Sequence, residues 1–203
     1  MLQRIHIIGG PGSGKSYAAR HLSHRLGVPA YDLDDLFWDH AAESYSVRAS
    51  DADRDAKLIA IAKEDAWVIE GVYYRWLKPS FERADVIFVL HPNVFLRDLR
   101  IVKRFVSRKL GIMPTKRESL LDFYRLIEWN HKYDSDNLKR AVDFIRDFEH
   151  KLVIVVVPTI LLPISLRDHL TTRLSERRKR PPFAQLKRYA PGDCDGSLTC
   201  HLW

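Results

Sequence analysis

The chain has 203 residues, 46% hydrophobic and 29% charged, which fits one soluble α/β domain, with or without a trailing segment, large enough to bury a core. The formal net charge of +7 is uneven, since from Leu166 onward eight Lys and Arg face four Asp and Glu. Only two cysteines occur, Cys194 and Cys200, which excludes a disulfide framework or a zinc site and fits a reducing compartment.

Taken in chain order, "RIHIIG" (4–9) is a short β-branched run that predicts a strand ending in glycine. "KSYAARHLSHRLG" predicts a helix from Lys15, with Ala18, Ala19, Leu22 and Leu26 on one side and Gly27 as its stop. "VPAYDLD" predicts the second strand. Ser50 opens the next helix, "SDADRDAKLIAIAKED", with Asp53 three residues on in a near capping box. "AWVIEG", "DVIFVLHP" and "KLVIVVV" predict the third, fourth and fifth strands. These runs are continuously apolar rather than alternating, as expected where helices cover both sheet faces. Alternating strands and helices then predict an α/β fold with a parallel, doubly wound sheet.

Gly9, Gly14, Lys15 and Ser16 satisfy G-x-x-x-x-G-K-[ST], placed between a strand and a helix as the motif requires. Glycines let successive backbone N–H groups turn inward around an anion, and the helix start adds its positive end to the same spot. Gly9, Gly10, Gly12, Ser13, Gly14, Lys15, Ser16 and Tyr17 are therefore expected to hold a nucleoside triphosphate. Lys15 supplies a mobile charge for the outer phosphates, and Ser16 a hydroxyl for Mg²⁺. No Asn-Lys-x-Asp follows, which argues against a GTPase.

Acidic residues end two predicted strands: Asp32, Asp34 and Asp35 close the second, and Glu70, followed by Gly71, closes the third. Ligands of an open parallel sheet bind beyond the carboxyl ends of its strands, so these acids are expected in one crevice with the phosphate loop. One carboxylate there is expected to hold Mg²⁺ through water and another, Asp34, to orient or deprotonate an acceptor hydroxyl. The alternative for Asp32 and Asp34 is to cap a helix starting around Leu36. Phe37, Trp38, Tyr73, Tyr74 and Trp76 cluster around these segments and suit either a stacking pocket for a ring or core packing.

In "NVFLRDLRIVKRFVSRKLG" the four arginines Arg97, Arg100, Arg104 and Arg108 share one helical face. Phe95, Leu99, Val102 and Val106 fall on the opposite face, which is expected to pack on the core. Arg100 and Arg104, in the helix middle, are the expected phosphate contacts, because the guanidinium fork matches phosphate oxygens. "LGIMPTKRES" follows as a lid turn, and "ESLLDFYRLIEWNHKY" and "DSDNLKRAVDFIRDF" as two helices. His6, His21, His24 and His91 show no metal spacing together.

"GGPGSGKS", "YDLDDLFW", "WVIEGVYYR" and "ADVIFVLHP", in this order, resemble the small P-loop kinases of the adenylate kinase-like and shikimate kinase-like group. In particular they are similar to the bacterial proteins labelled DNA topology modulation proteins, over roughly residues 3–157. The resemblance implies a P-loop NTPase fold of the nucleotide kinase type, a five-stranded parallel sheet in the order 2-3-1-4-5 with helices on both faces. It implies a kinase-like domain over 1–165, with an acceptor-binding insert at about 33–65 and a helical lid at about 95–130. It also implies ATP and Mg²⁺ as cofactors, with Glu70 standing where relatives have a metal-binding Asp. Asp32, Asp34, Gly71 and Arg75 would then meet the acceptor, a nucleoside or nucleotide more than a shikimate-type acid.

The rival reading is a nucleotide-dependent regulatory module that binds nucleic acid with little turnover. Its support is the basic tail, 166–203, with Arg177, Arg178, Lys179 and Arg180 as phosphate contacts; a solvated end is the simpler account of that run. Pro158 and Pro163 interrupt the longest apolar run, and "MLQRIHIIGG" is too short for a signal peptide, so a cytoplasmic, non-membrane protein is expected, monomeric or homodimeric.

Overall fold

A computed structural model describes residues 2–39, 47–112 and 119–156. The strands β1 (Arg4–Gly9), β2 (Ala30–Asp32), β3 (Trp67–Gly71), β4 (Val86–Leu90) and β5 (Leu152–Val155) form one sheet, all pairs parallel, in the order β2-β3-β1-β4-β5. Between them run α1 (Lys15–Leu26), α2 (Leu33–Phe37), α3 (Asp51–Lys63), α4 (Lys78–Arg83), α5 (Val94–Lys109), α6 (Leu120–Tyr133) and α7 (Asn137–Phe144), with a 3₁₀ segment at Arg146–Lys151. This order, with a phosphate loop between the central strand and α1, is the P-loop arrangement of nucleotide kinases, as expected.

Every residue of β3 and β4 is buried, which is why their sequences are apolar without alternation. Helix α1 lies against β1, β2 and β3, and α4 against β1. Register decides where the chemistry falls. Asp32 pairs with Glu70, Ile8 with Gly71, and Gly9 with Leu90, so β1, β2, β3 and β4 end level with one another. The phosphate loop leaves β1 at that edge.

Three local expectations change. The second strand stops at Asp32 rather than at Asp34. The Asp32 carboxylate accepts the Asp34 backbone N–H at 2.9 Å and so caps α2, which begins at Leu33. Leu26, expected on one side of α1 with Ala18, Ala19 and Leu22, is exposed in the last turn before the left-handed Gly27, whereas those three are buried.

The largest change concerns α5. Its two faces are those expected, but they are turned the other way: Phe95 and Leu99 are 73% and 64% exposed, Val102 and Val106 are exposed too, and Arg97 is fully buried. The reason is polar. Arg97 makes a two-pronged contact with the Asp134 carboxylate, 2.8 Å at each oxygen, and Arg100 reaches carbonyls of the phosphate loop. A guanidinium buried without such partners would carry a large desolvation cost, so the partners set which face turns inward.

Candidate active site

The phosphate loop is built from glycine conformations and close approach. Gly12 and Gly14 have φ of 67° and 95°, in the left-handed region. A Cβ on Gly12 would lie 2.6 Å from the Arg97 carbonyl, and one on Gly10 would lie 2.8 Å from both the Arg97 guanidinium and the Tyr133 ring. The loop is thus clasped from behind by α5 and the end of α6. The Ser13 N–H donates to the Gly10 carbonyl at 3.2 Å, closing the turn, and Lys15 begins α1.

Lys15 is buried, and its ammonium donates to the Gly10 carbonyl at 3.0 Å. Burial pulls its pKa below the usual lysine range, while the Glu70, Asp34 and Asp32 carboxylates pull it back up. Those three acids and the lysine therefore occupy one electrostatic neighbourhood at the strand ends. Burial holds the Glu70 carboxyl above its ordinary pKa, although Lys15 and the neighbouring Ser16 hydroxyl favour its ionised form. Burial also raises Asp32, even though its cap bond from the Asp34 N–H opposes the shift. Tyr17 is half exposed one turn into α1, its ring parallel to that of His21 at 6.2 Å.

Asp34 sits in the first turn of α2 and is exposed. Its Oδ1 accepts the Tyr73 hydroxyl at 2.9 Å, its one side-chain partner among the described residues. The Tyr73 ring stacks on Phe37 at 4.6 Å and leans on Trp76 at 5.7 Å, while Trp38 meets Phe37 edge-on at 4.9 Å. Arg48 stands over Phe37 and Arg54 over Trp76. The aromatic cluster expected from the sequence exists, except that Tyr74 turns away to Phe144 of α7, with the Arg75 guanidinium over its ring at 5.8 Å. Gly71 is buried where a Cβ would strike Leu33, 2.7 Å away.

Of the arginine row, Arg100 donates to the carbonyls of Gly12 and Ser13 at 3.2 Å each, and burial lowers its pKa. Arg104 lies close enough to Lys15 for the two positive charges to oppose each other. Arg97, expected in the same row, instead joins Asp134, which His91 also meets at 3.1 Å. Nothing in the local pattern marks Asp134 or His91, since their partner is brought in from another element. The Asp34–Tyr73 bond leaves no local signal for the same reason, although each residue stands out in the sequence on its own. No group of three metal-ligating side chains occurs among the described residues. None of their helices is long and apolar enough to cross a membrane. The basic run Arg177–Arg180 lies outside the described residues.

No family model matches the chain. Thirty residues are 63% identical to part of the shikimate kinase of Paracidovorax citrulli, covering 15% of this chain and 16% of that protein, so the match spans about a sixth of the relative's length. Among solved structures, the shikimate kinase of Acinetobacter baumannii in complex with shikimate is similar over 82% of this chain and 97% of its own, at 16% identity and a TM-score of 0.44. An uncharacterized protein from Eubacterium ventriosum aligns over 86% and 99% at 15% identity, with a TM-score of 0.48. A gluconokinase from Sinorhizobium meliloti aligns over 72% and 97% at 17% identity, with a TM-score of 0.38.

Proposed function

We propose that this chain is an ATP-dependent kinase that transfers the γ-phosphoryl group to a small acceptor, a nucleoside or nucleotide, held over Asp34. The observation that carries the reading is the gathering of a buried lysine with three carboxylates at the mouth of the phosphate loop. Asp32 caps α2, but a loop that merely bound nucleotide has no need of Asp34 beside its lysine.

In this reading backbone N–H groups of the loop, among them those of Gly12, Gly14, Lys15 and Ser16, and the Lys15 ammonium hold the β- and γ-phosphates. Ser16 and Glu70 are in contact and offer oxygen donors only, which suits Mg²⁺. Mg²⁺ usually takes only one or two protein oxygens beside phosphates and water, and a site without a three-residue cluster among the described residues is in keeping with it. Bound there, Mg²⁺ would neutralise charge on the phosphates. Arg100 holds the loop carbonyls outward, which leaves loop N–H groups for the phosphate oxygens. Asp34 takes the proton of an attacking hydroxyl as its oxygen bonds to the γ-phosphorus and the bond to the β,γ-bridging oxygen breaks, releasing ADP. The aromatic surroundings of Asp34, the Phe37, Tyr73 and Trp76 rings, favour an acceptor that carries a ring.

The test is ADP release from Mg·ATP across nucleosides, nucleoside monophosphates, shikimate and gluconate. A kinase of this class shows release that rises and saturates with a nucleoside or nucleotide. Release that no compound raises above the rate with water refutes the reading.

A further inference from the structure

We infer that Tyr73 is a positioning residue, whose hydroxyl fixes the Asp34 carboxylate so that its free oxygen faces the hydroxyl of an uncharged acceptor. This rests on the reading of Asp34 as the base, and it narrows the acceptor from nucleoside or nucleotide to a nucleoside.

The two acids at the end of β2 are not equivalent. Asp32 already serves α2, its Oδ1 occupied by the Asp34 backbone N–H. Asp34 projects from the first turn of a five-residue helix, exposed, with two free side-chain torsions and a single side-chain partner among the described residues. That partner does not wander. Tyr73 lies two residues past the buried end of β3, and its ring is held by Phe37 at 4.6 Å and Trp76 at 5.7 Å. Phe37 is itself backed by Trp38 and Arg48. A rigid phenol therefore pins one oxygen of a mobile carboxylate, and an oriented base is worth more than a loosely placed one.

The direction of the bond is fixed as well. A phenol has one hydrogen, and here it goes to Oδ1 of Asp34. Burial, then the charge of Asp34 and the bond to it, and then Asp32, push the Tyr73 ionisation far above the ordinary phenol range. Tyr73 thus stays a donor at every pH at which the enzyme works. Oδ1 is committed to it, and Oδ2 remains to receive the acceptor's proton.

The same surroundings select the accepting group. A phosphate acceptor brings oxygens that have already lost their protons, so it needs no base and requires cations instead. The groups that meet it here are Asp32, Asp34 and Glu70, near enough to act on one another. Arg75, which the resemblance would put on an acceptor phosphate, lies over Tyr74. Arg54 is paired to Asp51 and Asp55, which leaves Arg48 as the cation facing the cluster. Lys15 and its neighbour Arg104 serve the ATP phosphates in this reading, so an acceptor meets three carboxylates and Arg48, which favours an uncharged hydroxyl compound.

The experiment compares adenosine, guanosine, cytidine, uridine and thymidine with their 5′-monophosphates, and takes the fastest nucleoside as probe for wild type, Tyr73→Phe, Asp34→Asn and the double variant. Tyr73→Phe keeps the ring stack and removes only the hydroxyl. Its kcat is expected to fall about tenfold or more, with KM for nucleoside and for Mg·ATP within about twofold. In the Asp34→Asn background the same change should alter kcat less than about twofold, because the group it positions is gone. Wild-type kcat in Tyr73→Phe beside a crippled Asp34→Asn overturns the positioning role and leaves Asp34 as base. An equal loss in both backgrounds also overturns it. Monophosphates that outrun their nucleosides overturn the acceptor class, and full turnover by Asp34→Asn removes the base itself and Tyr73's role with it.

Discussion

Acidification from pH 7 to pH 5 should weaken this fold by about 2 kcal/mol through His6 alone. His6 lies in the central strand, fully buried, tilted against Phe81 at 4.7 Å and edge-on to Trp67 at 6.4 Å, and neither ring nitrogen has a partner among the described residues. Burial lowers its pKa from 6.5 to about 3, because a charged imidazolium would have to shed its water in an apolar interior. Between those two values the unfolded chain binds a proton at His6 and the folded chain does not. The contribution is therefore fully present above pH 6.5 and is lost as pH falls toward 3. At about 1.4 kcal/mol per pH unit, the 1.5 units between pH 6.5 and pH 5 amount to roughly 2 kcal/mol. Urea unfolding of wild type and His6→Leu at both pH values isolates the effect, since surface carboxylates titrate alike in the two proteins. The wild type should lose about 2 kcal/mol more than the variant. Equal losses would mean that His6 is protonated, or hydrated, inside the fold.

Three further variants probe the phosphate loop. Lys15→Ala should reduce ATP turnover by orders of magnitude while urea unfolding stays cooperative; an active variant would remove the proposed phosphate grip. Gly10→Ala puts a methyl 2.8 Å from the Arg97 guanidinium and the Tyr133 ring, so it should destabilise by about 1–3 kcal/mol and loosen ADP binding. An unchanged melting temperature would show that the contact gives way freely. Arg100→Ala removes two hydrogen bonds to the loop carbonyls, and Mg·ADP affinity measured by calorimetric titration should fall about tenfold. Unaltered affinity would mean that the loop holds its shape without α5.

What could be read from the sequence was what is local. The phosphate loop is eight consecutive residues whose chemistry needs no distant partner. Strands β1, β3 and β4 are buried on both faces, which leaves runs that are apolar without alternation apart from His6 in β1 and Glu70 near the end of β3. The Asp32 cap was legible as one of two choices, but not decidable, because a strand end and an N-cap make the same demand for an extended aspartate. The helical period of α5 separated its arginines from its apolar residues correctly and could not say which face turns inward. That is settled by Asp134, 37 residues from Arg97, and by loop carbonyls nearly 90 residues from Arg100. The Asp34–Tyr73 pair, 39 residues apart, is likewise a product of parallel strand order. Its two residues stood out separately, one as an acid and one as an aromatic.

The account stands most directly on where the terminal phosphate of ATP goes. With [γ-³²P]ATP, Mg²⁺ and the panel of nucleosides and their monophosphates, wild-type protein should place the label on one of these acceptors, and Lys15→Ala should not. Label recovered only as inorganic phosphate, or transferred equally well by Lys15→Ala, would contradict it.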